Sequence, residues 1–405
     1  MSSLRARAFS QILTFTRAST GTYYGEDGAV AVAAVNEPRF EYDPVTRQPR
    51  GLLVEEARTN LLLQSADFTT TWVNTRTTDA ANSAAAPDGT TSADSVIEDS
   101  SSNTHYIAQT VVVASAAADY AFSVSLKAGT RSHALIAMAE SVAGQTCYVA
   151  VNLTTGALGT ASVGGANWTD PRAFAESQGD GWYRVTIVGR KLSAATALTA
   201  ELYVSDAMGS INYTGNGSSL IYAWGAQLEA GPYVTSYIPT TTSAATRAAD
   251  VCGVSSLSPW FAEAEGTIFA EYMVPWTYVN TDTTSRRIVQ VDNASDVERH
   301  IVFISGTNRV GLTTSASIAQ AQINGAAAAA GVVQRHAYAW RENDIAGAFS
   351  GGQFGSDASA VMPSGLTNFR IGSGPENTQQ PIAYIRKVRF YPRRLSDNEL
   401  RSLVA

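Results

Sequence analysis

Aromatic and polar side chains occur together in three stretches of the 405-residue sequence, in combinations that suit the binding of sugars. Sugar rings have C–H faces that pack on aromatic planes, and their hydroxyls form hydrogen bonds with nearby polar side chains. The three stretches therefore predict carbohydrate-binding loops. Their candidate residues are Trp276, Tyr278, Asp282 and Arg286 in the first, Trp182 and Arg184 in the second, and Trp340, Arg341, Asn343 and Asp344 in the third.

Burial in a hydrophobic core is the alternative for every tryptophan, because tryptophan side chains are on average largely buried. For any single tryptophan of the three stretches this alternative is the favoured one. Packing is also the interpretation of Trp72, Trp168 and Trp224.

Catalysis is the second chemistry to consider. Glycosidases need two carboxyl groups about 5–10 Å apart, one of them with a raised pKa. Asp282, Asp292, Asp296 and Glu298 lie in a turn-rich stretch that predicts solvated side chains. The sequence has no G-x-S-x-G, H-E-x-x-H or P-loop motif and no regular short repeat. We therefore expect no catalytic residues and no enzyme, with a polysaccharide depolymerase or deacetylase as the alternative.

Metal and cofactor sites are not indicated. Cys147 and Cys252 are far apart, and the four histidines are scattered, so neither a zinc site nor a disulfide is expected. No calcium loop of the D-x-D-x-D-G type occurs. A carbonyl-plus-carboxylate calcium site near Asp282 or Asp357 stays open, without support from a motif.

The charge of the chain limits its partners. A net charge of −7 and a pI near 5.2 argue against nucleic acid or an anionic membrane as the partner. No apolar run approaches a membrane span and the start lacks a signal peptide, so we expect assembly in the cytoplasm and release by lysis. A basic cluster near the end predicts a site for an anionic glycan or a partner subunit, or else a solvated sheet face. It comprises Arg386, Lys387, Arg389, Arg393 and Arg394.

Period-two alternation predicts an all-β protein. In one stretch Tyr120, Phe122, Val124 and Leu126 share a face. Strands recur with Gly, Asn and Ser turns between them, which is typical of a β-sandwich or jelly roll. Another inward set is Tyr183, Val185 and Ile187. Near the end of the chain, a face with Tyr384, Arg386, Val388 and Phe390 alternates with a face that has Ile385, Lys387, Arg389 and Tyr391.

The domain boundaries follow from a joint at residues 221–250, where an apolar strand gives way to a Thr-rich segment. We predict a small β-hairpin module (1–65), a first jelly-roll or β-sandwich domain (66–240), a linker (241–255) and a second sandwich (256–405). A polar turn at Gly25-Glu26-Asp27-Gly28 predicts the hairpin. Ser396 as N-cap, with Glu399 three residues later, predicts a closing helix from Asp397 to about Val404.

Three sets of motifs resemble known families. The first 65 residues resemble the opening module of phage and gene-transfer-agent head-spike or fibre proteins, through FTRASTGTYYGEDGAV, NEPRFEYDPVT and GLLVEEARTNLLLQS. The runs WGAQLEAG, TSYIPT and TRAAD of this sequence resemble the linker of such virion proteins. The closing strand, proline and capped helix resemble laminin-G or concanavalin-like lectin domains. The resemblance implies a place on a virus-like particle and contact with host-surface glycans.

Together these observations predict a spike or fibre protein on a virion surface that binds host capsular or surface polysaccharide without cleaving it. The N-terminal module would contact other virion proteins, and the protein would form a homo-oligomer. Many copies on one particle would raise avidity without any new contact. A purely structural decoration protein is the remaining alternative.

Overall fold

The computed structural model describes residues 12–254, 256–278 and 284–405, and in these residues the regular elements are β-strands and one short helix. The strands up to residue 65 are β1 Thr14–Thr16, β2 Gly21–Tyr24, β3 Val30–Ala33, β4 Phe40–Tyr42, β5 Pro49–Val54 and β6 Arg58–Asn60. Those from residue 66 to 240 are β7 Val73–Thr75, β8 Thr77–Ala84, β9 Ala93–Glu98, β10 Ser102–Asn103, β11 Tyr106–Val112, β12 Ala118–Ala128, β13 His133–Ala139, β14 Thr146–Asn152, β15 Ser162–Gly164, β16 Trp168–Gly179, β17 Trp182–Lys191, β18 Ala197–Ser205, β19 Tyr213–Thr214 and β20 Leu220–Ala230. The elements after residue 240 are β21 Ala245–Arg247, β22 Val251–Val254, β23 Glu265–Met273, β24 Ser285–Asp292, β25 Arg299–Ser305, β26 Asn308–Ser315, β27 Ile318–Ala327, β28 Val333–Arg341, β29 Ile345–Phe349, β30 Gln353–Asp357, β31 Asn368–Ile371, β32 Ala383–Tyr391 and the helix α1 Asp397–Val404.

The first sandwich consists of two antiparallel sheets built from a continuous stretch of chain. One sheet has the order β15-β14-β13-β18-β11-β7, and the other has the order β16-β17-β12-β20-β9-β8. Their inner faces share one core, in which Ile136 and Leu202 of the former meet Phe122 and Val185 of the latter. The predicted inward set of β12, from Tyr120 to Leu126, lies in this core. We call the sheet that contains β13 and β18 the tyrosine sheet.

The second sandwich also pairs two antiparallel sheets. Their strand orders are β1-β22-β31-β24-β25-β26-β27 and β30-β29-β28-β23-β32-β5-β4. Ile268 and Tyr272 of the second sheet pack against Val289 and Val291 of the first in a common core. The prediction of an all-β fold with two sandwiches is therefore confirmed.

Strands from the start of the chain complete the second sandwich. Strand β1 pairs with β22, with Phe15 opposite Cys252, and β5 pairs with β32, with Leu53 opposite Tyr384. The predicted hairpin is present as β2 and β3, which pair only with each other among the described residues. Apart from that hairpin, the described strands of the N-terminal segment belong to sheets or ladders that they share with later parts of the chain.

A buried ionic network ties the N-terminal segment to the linker. Arg17 lies 3.2 Å from Asp250, and Arg39 lies 2.8 Å from Glu55. Arg247 approaches Glu55 at 3.5 Å, and all five side chains are at most 2% exposed. Buried charges are tolerated when they are paired and hydrogen-bonded. The arginines and acids of the N-terminal and linker motifs thus have a shared structural role.

The last strand corrects one predicted face. A register shift after Glu271 leaves Arg386 as an extra residue, so that Tyr272 pairs with Ile385 and Glu271 with Lys387. A β-bulge of this kind reverses the side-chain alternation beyond it. Ile385 therefore joins the core on the same side as Val388 and Phe390, which pack against it, whereas Arg386 is exposed.

The closing helix is capped as its sequence predicts. Ser396 and Glu399 form both hydrogen bonds of a capping box, and Leu400 is buried under β28 and β29. No helix in the described part of the chain combines the length and the apolar character needed to cross a membrane.

Candidate functional site

The first predicted site is divided between the joint and the core. Trp276 is partly buried at the joint, where its ring lies 4.7 Å from that of Phe174 in the first sandwich. Its indole nitrogen donates to the carbonyl of Val234 at 3.1 Å. This side chain links the two sandwiches and presents no free ring on a loop.

Tyr278 and Arg286 of the same predicted site are buried. They are 1% and 3% exposed, and the guanidinium of Arg286 lies 4.8 Å from the ring centre of Tyr278. The hydroxyl of Tyr278 donates to the carbonyl of Ile382 at 3.3 Å. A pair enclosed in this way has no surface for a sugar, so the prediction is wrong for these two residues. Asp282 lies outside the described residues.

The second predicted site is also internal. Trp182 is 2% exposed, and its indole nitrogen donates to the carbonyl of Ala85. Arg184 donates to the carbonyl of Thr235 at 2.8 Å and to the hydroxyl of Ser123. The two side chains thus support the packing of the first sandwich against the joint, and Trp182 is a core residue.

The third predicted site is divided in the same way. Trp340 is fully buried and stacks on His300, with ring centres 4.0 Å apart, so it cannot contact a sugar. Asn343 is exposed on a turn, where its side-chain oxygen accepts a hydrogen bond from the backbone of Ala360. Arg341 and Asp344 on that turn pair with each other at 2.6 Å. Trp72, Trp168 and Trp224 are buried as predicted.

A polar cavity at the joint contains two carboxyl groups that share one arginine. Glu41 and Glu176 both approach the same nitrogen of Arg50, at 3.5 and 2.8 Å. Burial raises the pKa of Glu41 to about 7, while Arg50 opposes that rise. The cavity measures about 50 Å³, and a water needs about 10–15 Å³ of such volume. It has room for a few waters and none for a sugar ring.

Three tyrosines share the outer face of the tyrosine sheet. Tyr106 on β11 lies opposite Tyr203 on β18, and their ring centres are 4.8 Å apart. Tyr148 on β14 is two strands further along the same face, opposite Ala137 of β13. All three side chains are partly exposed. They offer aromatic surface on a sheet face whose other side is the core of the sandwich.

Alanines occupy several of the positions between the tyrosines, next to Leu135 and Glu201. Glu201 on β18 lies between two alanines, with Ala108 of β11 opposite it on one side and Ala137 of β13 opposite it on the other. Ala139 and Ala150 continue this floor toward β14, and the alanines of the floor are at most 8% exposed. The short alanine side chains, with larger side chains on either side of them, form a shallow trough that crosses the strands.

Glu201 supplies the polar centre of this trough. Its Oε2 accepts a hydrogen bond from the hydroxyl of Tyr203 at 2.8 Å, and its Oε1 accepts none from the described residues. Burial raises the pKa of Glu201, and the hydrogen bond from Tyr203 only partly offsets this rise. At one end of the same face His133 and Asn152 approach each other at 3.2 Å. The trough therefore combines aromatic rings with hydrogen-bonding groups.

The tyrosine sheet keeps its outer face clear of the second sandwich. The opposite sheet faces the joint, where Ala121 and Val188 pack with Val234 and with Trp276. On the tyrosine sheet, the described members of the apolar cluster on the outer face all belong to the first sandwich, among them Leu135 and Ile211. We call Tyr106, Tyr148, Glu201 and Tyr203 the tyrosine face, and it is the best candidate for a binding site in the described chain.

The sequence contains a signal for this face that our predictions did not use. Tyr106, Tyr148 and Tyr203 each alternate with core residues, such as Ile107, Val149 and Leu202. Large aromatic residues at outward positions of a strand, with alanines beside them, indicate a binding surface more directly than tryptophans near turns.

Comparisons with known proteins provide little further guidance. No family model matches the chain, and no curated protein matches it. Among solved structures, domains LG4-5 of the mouse laminin alpha1 chain align with 73% of this chain and 90% of their own, at 11% identity and a TM-score of 0.26. The LG1-3 region of the laminin alpha2 chain aligns with 74% of this chain and 62% of its own, at 9% identity and a TM-score of 0.25. These scores are too low to transfer any residue or ligand to this chain.

Proposed function

We propose that this protein is a carbohydrate-binding protein without catalytic activity, and that it holds a glycan on the tyrosine face. The observation that supports this most is the placement of Tyr106, Tyr148 and Tyr203 around Glu201 on one open sheet face. Sugar rings would pack on the tyrosines, and a hydroxyl would donate to Oε1 of Glu201.

The shape of the face favours an extended chain of sugars. Its floor runs from Ala108 past Glu201 to Ala137 and Tyr148, across four neighbouring strands. Neighbouring strands lie about 4.8 Å apart, so the trough spans roughly three such spacings. That length suits a short run of sugar units better than a single monosaccharide.

We also propose a biological setting for this protein. The protein would sit on the surface of a phage-like particle and bind the capsular polysaccharide of the host cell, as a homo-oligomer attached to other virion proteins through its N-terminal segment. The support is the resemblance of the N-terminal and linker motifs to head-spike and fibre proteins. Many weak sites on one particle would act together through avidity.

The test is affinity electrophoresis of the purified protein in gels that contain capsular polysaccharide, together with an assay for new reducing ends. We expect retarded migration and no new ends. The variants Tyr106→Ala, Tyr203→Ala and Glu201→Gln should each weaken retardation, with the two tyrosine variants losing about tenfold or more in affinity. Tyr42→Ala, on an edge strand of the second sandwich, is the matched control and should migrate as the unmodified protein does.

Other results would redirect the proposal. New reducing ends would identify a depolymerase, and release of acetate without cleavage would identify a deacetylase. Retardation that survives both tyrosine substitutions would place the glycan elsewhere. Absence of retardation with every polysaccharide from susceptible cells would favour a structural decoration protein.

A further inference from the structure

An apolar groove opens between the two sheets of the second sandwich. It lies on the side where both sheets end in short strands from the N-terminal segment, β1 and β4. Its volume is about 510 Å³, which falls within the range of roughly 300–1,000 Å³ typical of small-molecule pockets. It is about ten times the volume of the polar cavity at the joint.

Aromatic and aliphatic side chains form the walls of this groove. Trp260 closes one part of it, with ring centres 5.8 Å from Phe369 and 5.4 Å from Phe390. Trp260 remains 39% exposed, although large apolar side chains are usually buried. The apolar layer of the sandwich is thus accessible from solvent at this side.

Two cations stand at the same groove. Arg386 and Lys387 are exposed, and they are the charged members of the described lining, which contains no acid. Arg386 lies 3.4 Å from Glu271 and donates to the carbonyl of Pro49. Lys387 lies opposite the same Glu271 on β23, and Arg335 also pairs with that carboxylate, so three cations surround one acid here. The groove therefore combines apolar walls with a positive rim.

We propose that this groove binds a single-chain anionic amphiphile, specifically a long-chain carboxylate. The hydrocarbon chain would lie between the sheets against Phe369 and Phe390, and the carboxylate would pair with Lys387 and Arg386. This inference does not depend on the tyrosine face, which belongs to the other sandwich.

The lining distinguishes this ligand from other classes. A sugar would find no side chain with a neutral hydroxyl or amide there, because the described lining is apolar apart from the two cations. A protein partner would ordinarily bury about 800 Å² on each side, which is a larger area than the walls of this groove offer. A wholly apolar molecule would leave the cations unused, whereas a carboxylate forms charge-assisted hydrogen bonds with them.

The test is isothermal titration calorimetry with dodecanoate below its micelle concentration. We expect saturable binding of one molecule per chain. Dodecyltrimethylammonium, which has the same chain and the opposite charge, should bind at least about tenfold more weakly, as should octanoate, which buries fewer methylenes. If dodecyltrimethylammonium binds as tightly as dodecanoate, the proposed pairing of a carboxylate with Lys387 and Arg386 is wrong.

Variants locate the binding. Lys387→Glu combined with Arg386→Glu should weaken dodecanoate binding by about tenfold or more, and Phe40→Glu should abolish it by placing a charge at the mouth. Arg389→Glu is the matched control, since Arg389 is an exposed cation of the same strand that does not line the groove. Thermal melting would verify that each variant is folded.

Three outcomes would overturn the proposal. The first is the absence of saturable binding to the unmodified protein, and the second is binding that Phe40→Glu leaves unchanged. The third is evidence for another occupant. A dimer that Phe40→Glu dissociates would assign the groove to a second copy, and binding seen only after removal of residues 1–11 would assign it to the start of the chain itself.

Discussion

Arg17 and Asp250 are separated by 233 residues, yet the guanidinium donates to the carboxylate at 3.2 Å and both side chains are fully buried. Arg39 binds the other oxygen of the same carboxylate, which also accepts a hydrogen bond from the backbone of Glu55. Asp250 thus joins the N-terminal segment to the end of the linker. The network holds three arginines against two acids, so every acid in it is needed.

Loss of Asp250 should be strongly destabilising. Asp250→Ala leaves Arg17, Arg39 and Arg247 with Glu55 alone, and removing one partner of a buried ion pair costs about 3–5 kcal/mol. Urea unfolding followed by fluorescence would measure the change in the free energy of unfolding. Asp119→Ala, which removes the half-exposed pair with Arg190, is the control and should cost about 1 kcal/mol or less. Equal costs for the two variants would show that the network contributes no more than a surface pair.

Stability should fall with pH through the titration of Glu41. Burial raises the pKa of its carboxyl from 4.5 to about 7, and the charge of Glu176 adds to the rise. Because folding raises this pKa, the stabilising contribution is complete below about pH 4.5 and is lost as the pH rises through about 7. Glu41→Gln keeps an acceptor for the hydroxyl of Tyr384, 3.0 Å away, but cannot titrate. Its Tm should therefore decline less between pH 5 and 8 than that of the unmodified protein. If the Tm values of the variant and of the unmodified protein decline equally, groups other than Glu41 cause the pH dependence.

Gly51 should be irreplaceable where β5 lies beside β32. Its φ is 128°, and an added Cβ would lie 2.7 Å from the carbonyl oxygen of Ile385. Gly51→Ala should lower the free energy of unfolding by more than about 1 kcal/mol, since backbone strain and a steric clash act together. Gly89→Ala is the control, because Gly89 also has a positive φ but no heavy atom within 4 Å of an added Cβ. If chemical denaturation gives both variants the same cost, the clash with Ile385 is relieved without penalty.

Removing the helix cap should loosen the end of the chain. In Ser396→Ala the backbone N–H of Glu399 loses its side-chain acceptor, and loss of such a cap costs about 1 kcal/mol. Amide hydrogen exchange should accelerate in α1, while β12 in the first sandwich should keep its protection. Ser402→Ala, an exposed serine on the same helix, is the control. Unchanged exchange in α1 would show that burial of Leu400 alone holds the helix in place.

Local features were predictable from the sequence because they depend on nearby residues. The inward set of β12 follows from strict alternation, and the capping box follows from Ser396 and Glu399 three positions apart. The hairpin β2–β3 follows from a turn with glycine at both ends. Each of these rests on rules that act within a few residues.

Features that depend on distant partners were not predictable in the same way. The bulge at Arg386 arises where β32 meets β23, more than a hundred residues earlier in the chain. Trp340 has the flanking residues of a loop site, but its own position faces the core of the second sandwich. The tyrosine face requires β11, β18, β13 and β14 to lie side by side in one register, and the order of those four strands is a property of the sheet.

The pairing of β5 with β32 makes the two sandwiches unequal during synthesis. Both sheets of the first sandwich come from residues 73–230, so they can form as soon as that stretch has left the ribosome. The second sandwich needs β5, made early, and β32, which ends only at Tyr391. Strand β4 can pair with β5 early, but the other edge of β5 must wait for β32 until nearly the whole chain has been translated. In that interval this edge of β5 is exposed, and chaperones or other nascent chains can bind to it.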